Sequence, residues 1–245
     1  MPVLALAGAD CERLGGGPFA QPMNTVSGVA FILVGAWIVV RAFGAVERRV
    51  ELAVFGLAIA SNAVGGLLFH GLQTQGARWV HDVSILSVLL FIVVFDVARF
   101  FARTTVWTMA VYTSSLAAIG VLLASAPSAT DASAVVLGVA AGGWEIVEYR
   151  HELPTIRAEG LTSRRAARLG VLVALALGAT AFLVGRTGGW LCSPESVFQW
   201  HAVWHLLAAA AMGLYAYGAI EPHAAPVARS TSPRVRDSAR QGLDE

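Results

Sequence analysis

Seven stretches of about twenty apolar residues, the length an α-helix needs to cross a hydrocarbon core, constrain this chain more than anything else in it. They fall at roughly 24–43, 50–71, 82–102, 105–126, 130–149, 165–186 and 195–219, with ends uncertain by a few residues. In lipid the backbone must satisfy its own hydrogen bonds within each segment, so each stretch is expected to be a helix. The expected fold is therefore all-α, a seven-transmembrane-helix bundle over 24–220, with an N-terminal segment over 1–23 and a tail over 221–245. Only 13% of residues are charged, whereas a soluble domain carries about 25%. No repeat with a period of about 20–50 residues is visible, which argues against a solenoid. The tail is polar, with three prolines and four arginines, and reads as disordered.

Arginine placement sets the expected orientation. Arg41, Arg48, Arg49, Arg99, Arg103, Arg150, Arg157, Arg164, Arg165, Arg168 and the four tail arginines fall on one side, and only Arg13, Arg78 and Arg186 on the other. Positive charge is retained on the cytoplasmic side, so the N-terminus is expected outside and the C-terminus in the cytoplasm, in the cell membrane. All seventeen basic residues are arginine, and the net charge of +1 comes with no basic cluster of the kind that binds nucleic acid. The apolar stretch Val3–Ala7 is too short for a cleaved signal peptide, so none is expected. Cys11 and Cys192 both fall on the expected outer side, where disulfides persist. A bridge between them is favoured over two unrelated buried thiols, and would tie the N-terminal segment over the start of the last helix.

The polar residues within the spans carry the functional reading. In Gln199-Trp200-His201-Ala202-Val203-Trp204-His205 the two histidines are four apart, on one helix face, and can point at one ion. Zn²⁺ suits that spacing. The alternative is a pair of amphipathic rings at the membrane boundary beside Trp200 and Trp204. Ser193-Pro194-Glu195 reads as the helix start, with serine as N-cap and proline at the first position. His201 and His205 then sit about 10–15 Å along, at 1.5 Å per residue. His70 ends the second helix and Asp82 begins the third, so all four groups fall at outer helix ends.

Three histidines and a carboxylate brought together make a catalytic zinc site with an open fourth position. Zinc there lowers the pKa of a bound water. Asp82 could take the proton, orient a ligand histidine, or complete the coordination shell. His70 taken alone is equally an interfacial ring. His81 points about 100° away from Asp82 on a helix and reads as interfacial. His151 and His223 are placed in a loop and in the tail. Asp96 reads as a charge partner of Arg99. Glu145 and Glu148 read as snorkelling charges or the mark of a cytoplasmic opening. Ser61 and Asn62 read as helix–helix hydrogen bonders.

With these residues in place the chain resembles the alkaline ceramidases, within the superfamily that includes the adiponectin-receptor-like proteins. The resemblance covers nearly the whole chain. It rests on seven helices and three motifs in order: Asp10-Cys11-Glu12 with Gln21-Pro22-Met23-Asn24-Thr25-Val26-Ser27, then Phe69-His70 followed by Asp82, then Gln199-x-His201-Ala202-x-Trp204-His205. It implies that His70, His201 and His205 bind zinc, that Asp82 works on a water, and that Cys11 and Cys192 are bridged.

Two departures stand out. The family places a serine one turn before the helix 2 histidine, where it helps stabilise an oxyanion; here that residue is Gly66. A backbone group, a water, Ser84 or Ser87 could substitute. Eukaryotic members build a calcium site from acidic N-terminal residues and an asparagine. Asp10, Glu12 and Asn24 match part of it, but Gln21 stands where another acidic ligand belongs, and Gly15-Gly16-Gly17 departs further. Calcium collects about six to eight oxygens, so fewer carboxylates weaken that site.

The expected function is a zinc-dependent intramembrane amidase hydrolysing a ceramide-like membrane lipid to a sphingoid base and a fatty acid. The alternatives are a zinc hydrolase of another acyl lipid, ester or amide, and a non-catalytic receptor-like membrane protein with a residual zinc site. Transport is disfavoured, because no repeat halves or interrupted midplane helices are visible.

Overall fold

In the computed structural model, which describes residues 10–159 and 161–220, the apolar runs are helices. The tail read as disordered lies outside the described residues. In chain order the helices are α1 (Pro22–Ser27), α2 (Val29–Gly44), α3 (Arg49–Leu72), α4 (Gln75–Phe100), α5 (Thr105–Ser125), α6 (Thr130–Glu159), α7 (Ser163–Val184) and α8 (Trp200–Tyr215). A short 3₁₀ turn, Pro127–Ala129, leads into α6, and a π turn, Ala216–Ile220, closes α8. Seven spans are long and apolar enough to cross a membrane, α1 and α2 together forming the first. No strand occurs among the described residues.

Helix starts follow local chemistry. The hydroxyls of Thr74, Thr104 and Thr162 accept from the backbone N–H of Ala77, Trp107 and Arg165, capping α4, α5 and α7. The Thr74 cap explains why α4 starts at Gln75 and not at the apolar run near 82. Its first turns carry Arg78, His81 and Asp82, whose side chains pair with one another. The expected start of the last helix at Ser193-Pro194-Glu195 is not found, since α8 begins at Trp200. Gln199 Nε2 donates instead to the carbonyls of Ser193 and Ser196, which curls this segment back as a turn. The Pro194 carbonyl accepts from Arg13 N–H of the N-terminal segment at 3.1 Å. His201 consequently lies in the first turn of α8, not 10–15 Å along it.

Burial divides the bundle. In α3, α4 and α8 half or more of the span window is buried, at 56%, 56% and 50%, but in α5 and α6 only 17% and 11%. The first three are the centre, and the last two face outward with side chains such as Val121 and Val139 about 70% exposed. The core joins Ile38 of α2, Phe55 and Ile59 of α3, Phe91 and Phe95 of α4, and Tyr215 of α8. α2 and α3 cross at Gly35 and Gly56. A Cβ at Gly35 would stand 2.6 Å from the Gly56 carbonyl, so only glycine allows this approach. Cys11 and Cys192 are bridged across 181 residues, tying the N-terminal segment to the α7–α8 loop as expected.

Candidate metal centre

The last carbonyls of a helix lack partners within it. At the end of α3, those of His70 and Gly71 accept from the backbone N–H of Gln21 and Ala20 at 2.9 and 3.1 Å. The N-terminal segment is thereby laid against the turn that carries His70. α8 brings in His201 and His205, one turn apart, with ring centroids 4.6 Å from each other and 5.1 and 5.3 Å from His70. All three imidazoles are buried, and one nitrogen from each lies within 4.8 Å of the others. The three histidines that the sequence singles out are brought together.

What surrounds them decides which nitrogen faces inward. His70 Nδ1 lies 2.7 Å from Gln21 Oε1, a carboxamide oxygen that only accepts, so Nδ1 carries the proton. Ser27 Oγ donates its single hydrogen to the Asn24 carbonyl at 3.0 Å. With that hydrogen on the carbonyl, the hydroxyl oxygen accepts from His205 Nδ1 at 2.8 Å. His201 Nδ1 lies 3.5 Å from Asp10 Oδ1, a carboxylate oxygen, which is also 3.9 Å from His70 Nδ1 through its other oxygen. His70 thus presents an Nε2 lone pair, and the Asp10 and Ser27 contacts suit the same tautomer in His201 and His205. His70 Nε2 and His201 Nε2 are buried with no hydrogen-bond partner. Buried polar atoms are rarely left so, and three oriented neutral imidazoles with outer partners fixing their tautomers are how a metal ion is held. The residues fit a divalent metal ion.

Asp10 reaches the rings through a strained turn. Glu12 N–H donates to the Asp10 carbonyl at 2.8 Å around Cys11, whose φ is +65°. A γ-turn of this hand is rare and strained for a residue with a side chain. The disulfide and a bond from Cys11 N–H to Thr187 Oγ1 at 3.1 Å hold it. Burial pushes the Asp10 carboxyl up to about 6, against the pull of His81 and Arg186. The turn sends Glu12 the other way. Its two oxygens accept from the backbone N–H of Met23 and Asn24 at 2.7 and 2.8 Å, capping α1. Asn24 Oδ1 is buried without a partner, and Gln21, at the position of an expected acidic ligand, is spent on His70 and on the Glu12 carbonyl.

Asp82 stands outside the imidazole cluster. It accepts from Thr130 Oγ1 at 2.8 Å and lies 3.5 Å from Arg78 Nε and 3.2 Å from His81 Nδ1. A small cavity beside it is lined by Gln75, Arg78, Trp79, Leu123 and Pro127. His81, expected to be interfacial, is mostly buried instead. Its ring stacks on Phe69 at 4.6 Å and meets His70 at 5.6 Å, so it stands between Asp82 and the cluster. The cause is Gly65, where a Cβ would come within 2.8 Å of His81 Cα; glycine lets α4 close on α3 there. Both serines offered as stand-ins at the position of Gly66 have hydrogen-bond partners of their own. Ser84 Oγ donates to the His81 carbonyl and Ser87 pairs with Tyr112 OH. Beside Gly66 itself, a Cβ would meet nothing within 4 Å.

Reading the sequence missed Gln21, Ser27 and Thr130 as partners of the site. The i, i+3, i+6 spacing of Gln21, Asn24 and Ser27, which puts them on one helix face, is the available signal for two of them. Thr130 carries none. No family model matches the chain, and no curated protein is found to be similar to it.

Proposed function

We propose that this protein is a zinc-dependent intramembrane amidase acting on ceramide-like lipids, releasing a sphingoid base and a fatty acid. One observation carries the reading: three buried imidazoles have their Nδ1 atoms engaged by Gln21, Ser27 and Asp10, leaving Nε2 lone pairs to converge. When bound, zinc would polarise a carbonyl oxygen and lower the pKa of a water. His70, His201 and His205 would hold it. Gln21, Ser27 and Asp10 keep the ligand rings in one tautomer and one orientation. Phe69, Phe31 and Phe182 pack on the three rings, within 5.7 Å centroid to centroid, and keep water out. Asp82, positioned by Thr130 and Arg78, takes a proton at its carboxylate and returns it to the departing amine nitrogen. His81 connects it to the cluster.

Hydrolysis adds the elements of water across the C–N bond, hydroxyl to the acyl carbon and hydrogen to nitrogen. Because the site lies near the ends of membrane-crossing helices, a lipid whose amide sits just below its headgroup suits it. An ester would be cut by the same groups. A non-catalytic role is the second reading, favoured by Gly66. Calcium in the N-terminal segment is a subsidiary proposal resting on the unpartnered Asn24 Oδ1.

The test is elemental analysis of purified protein together with fatty acid release from ceramide and from an ester-linked analogue. Turnover of ceramide by zinc-loaded protein, lost on chelation and restored by zinc, is expected. Turnover of the ester alone moves the protein to the other acyl-lipid hydrolases. A folded, zinc-loaded sample that turns over neither removes the enzyme reading.

A further inference from the structure

Among the described residues, three arginines lie at the end of the bundle that carries the histidines, and the others lie at the opposite end. Two of the three have partners there. Arg13 pairs with Glu195 at 2.7 Å, and Arg186 lies over the Phe182 ring at 5.2 Å. Arg78 of α4 is the third. It meets the protein along one edge only, with Nε 3.5 Å from Asp82 Oδ2, and its two terminal nitrogens take no partner from the described residues.

Arg78 lines the small cavity beside Asp82, with Gln75 and Trp79 of α4, Leu123 of α5 and Pro127. Gln75, Arg78 and Asp82 recur at i, i+3 and i+7, so one face of α4 supplies its charged and amide groups. Those groups are unequally occupied. Asp82 Oδ2 accepts from Thr130 Oγ1 at 2.8 Å, and Oδ1 lies 3.2 Å from His81 Nδ1. The Trp79 indole N–H donates to the Gly120 carbonyl at 3.0 Å. What remains is the guanidinium end of Arg78, a fork of donors with no acceptor, and the Gln75 carboxamide, also without a partner among the described residues. A ligand that suits this cavity therefore brings acceptors and negative charge. A carboxylate matches the fork with two parallel hydrogen bonds. At about 30 Å³ the cavity admits a group of a few atoms and not a sugar.

Which part of a lipid lies here follows from the amidase reading, on which this inference rests for the orientation of the substrate. Asp82 there returns a proton to the departing nitrogen, so the nitrogen lies against Asp82. The cavity adjoins Asp82, whereas His81 stands between Asp82 and the imidazole cluster. The cavity is thus placed for what the nitrogen carries. We propose that it is a subsite for a carboxylate on the carbon next to the amide nitrogen, held by Arg78 and Gln75. The preferred substrate is then an N-acyl amino acid, with a carboxylate where ceramide has its hydroxymethyl group. In such a lipid the carboxylate carbon is two bonds from the nitrogen. The terminal nitrogens of Arg78 are likewise two bonds from the Nε that faces Asp82. Hydrolysis puts hydroxyl on the acyl carbon and hydrogen on the nitrogen, releasing a fatty acid and a free amino acid with water as the one co-reactant.

The experiment uses the zinc-loaded full chain and two sulfonamides that hydrolysis does not consume, N-hexadecylsulfonylserine and N-hexadecylsulfonylserinol. They differ only in a carboxylate against a hydroxymethyl group. Binding is measured by thermophoresis in a neutral detergent. The wild type should prefer the carboxylate by about ten- to a hundredfold, the range of one hydrogen bond to a charged group. Arg78→Gln should lose the preference, and Arg13→Gln, at the same end of the bundle, should keep it. Equal affinities in the wild type overturn the proposal. So does a preference that survives Arg78→Gln, or one lost to the same degree in Arg13→Gln, which makes it a general effect of charge. Tighter binding of the phosphate ester of the serinol compound overturns it as well. Fatty acid release from N-palmitoylserine and from ceramide is measured separately. Faster release from N-palmitoylserine supports the proposal, and release from ceramide alone overturns it. Release from neither, with the binding preference intact, upholds the carboxylate subsite and removes the amidase reading. The wild-type comparison decides even where a variant does not fold.

Discussion

Gln21→Leu tests whether the N-terminal segment orients the metal ligands. Leucine keeps the size of the side chain but removes the acceptor 2.7 Å from His70 Nδ1 and the donor 3.1 Å from the Glu12 carbonyl. His70 Nδ1–H is fully buried, so its lost partner is not replaced by solvent. Loss of an outer partner of a ligating histidine costs about 10–100-fold in metal affinity, which is about 1.4–2.8 kcal/mol at 1.4 kcal/mol per tenfold. Each buried group left unsatisfied adds about 1–3 kcal/mol of folding free energy, so thermal unfolding should move down as well. Gln21→Glu is the paired control. It keeps the acceptor for His70 and should hold zinc near wild-type affinity while losing only the bond to Glu12. Affinity is read by competition with a chromogenic chelator on folded protein. If Gln21→Leu binds zinc within twofold of wild type, the tautomer argument is wrong for His70 and the cluster does not depend on this segment.

Three further outcomes follow from the geometry. Asp82→Asn should leave zinc content unchanged, because Asp82 stands outside the imidazole cluster. It should reduce fatty acid release by about 10²–10⁴-fold, the usual contribution of a general acid–base group; loss of metal in this variant would instead make Asp82 a ligand. Gly66→Ser should be accommodated without loss of thermal stability, since its Cβ meets nothing within 4 Å, and replacing an interior helical glycine gains about 0.5–1 kcal/mol at most. A lowered unfolding temperature would show that the space is not there. Cys11→Ser should lower zinc affinity more than a surface change does, because the bridge holds the turn that aims Asp10 at His201; unchanged affinity after removal of the bridge would separate the disulfide from the site.

How much of this was legible in the sequence depends on what kind of signal each part leaves. The seven spans were, because lipid demands long apolar runs and tolerates little else. The histidines were, because spacing of four on a helix and shared helix ends are properties of sequence. The start of α8 was not. Ser193-Pro194 has the right residues for a cap, but the side chain of Gln199, six residues on, and the backbone N–H of Arg13, brought in from the N-terminal segment, capture those carbonyls. His81 was misread because angular separation on a helix says nothing about how closely a neighbour approaches. Gly65 lets α3 in, and a ring that should have faced the membrane boundary is stacked on Phe69. Thr130 lies 48 residues from Asp82, and nothing local marks the pairing.

The division of labour in the site has a physical reason. Membrane-crossing helices can supply ligand rings cheaply, because a histidine at a helix end needs only the right face. They supply outer partners badly, because a carboxylate or carboxamide placed deep in a span must be desolvated and satisfied at once. Here those partners come mostly from the short stretch 10–27, ahead of or at the start of the first span, where backbone groups are free to bend. Cys11 can adopt a positive φ and Gln21 can leave the helix start to meet His70. That freedom makes the stretch a poor scaffold by itself. Glu12 on the first amides of α1 ties it to itself, and it is fixed from two sides: by the disulfide to the α7–α8 loop and by Ala20 and Gln21 on the open carbonyls of α3. Each anchor joins it to an element that carries or adjoins a histidine. A shift in any of those helices therefore moves the outer partners with the rings, which keeps the three imidazoles together.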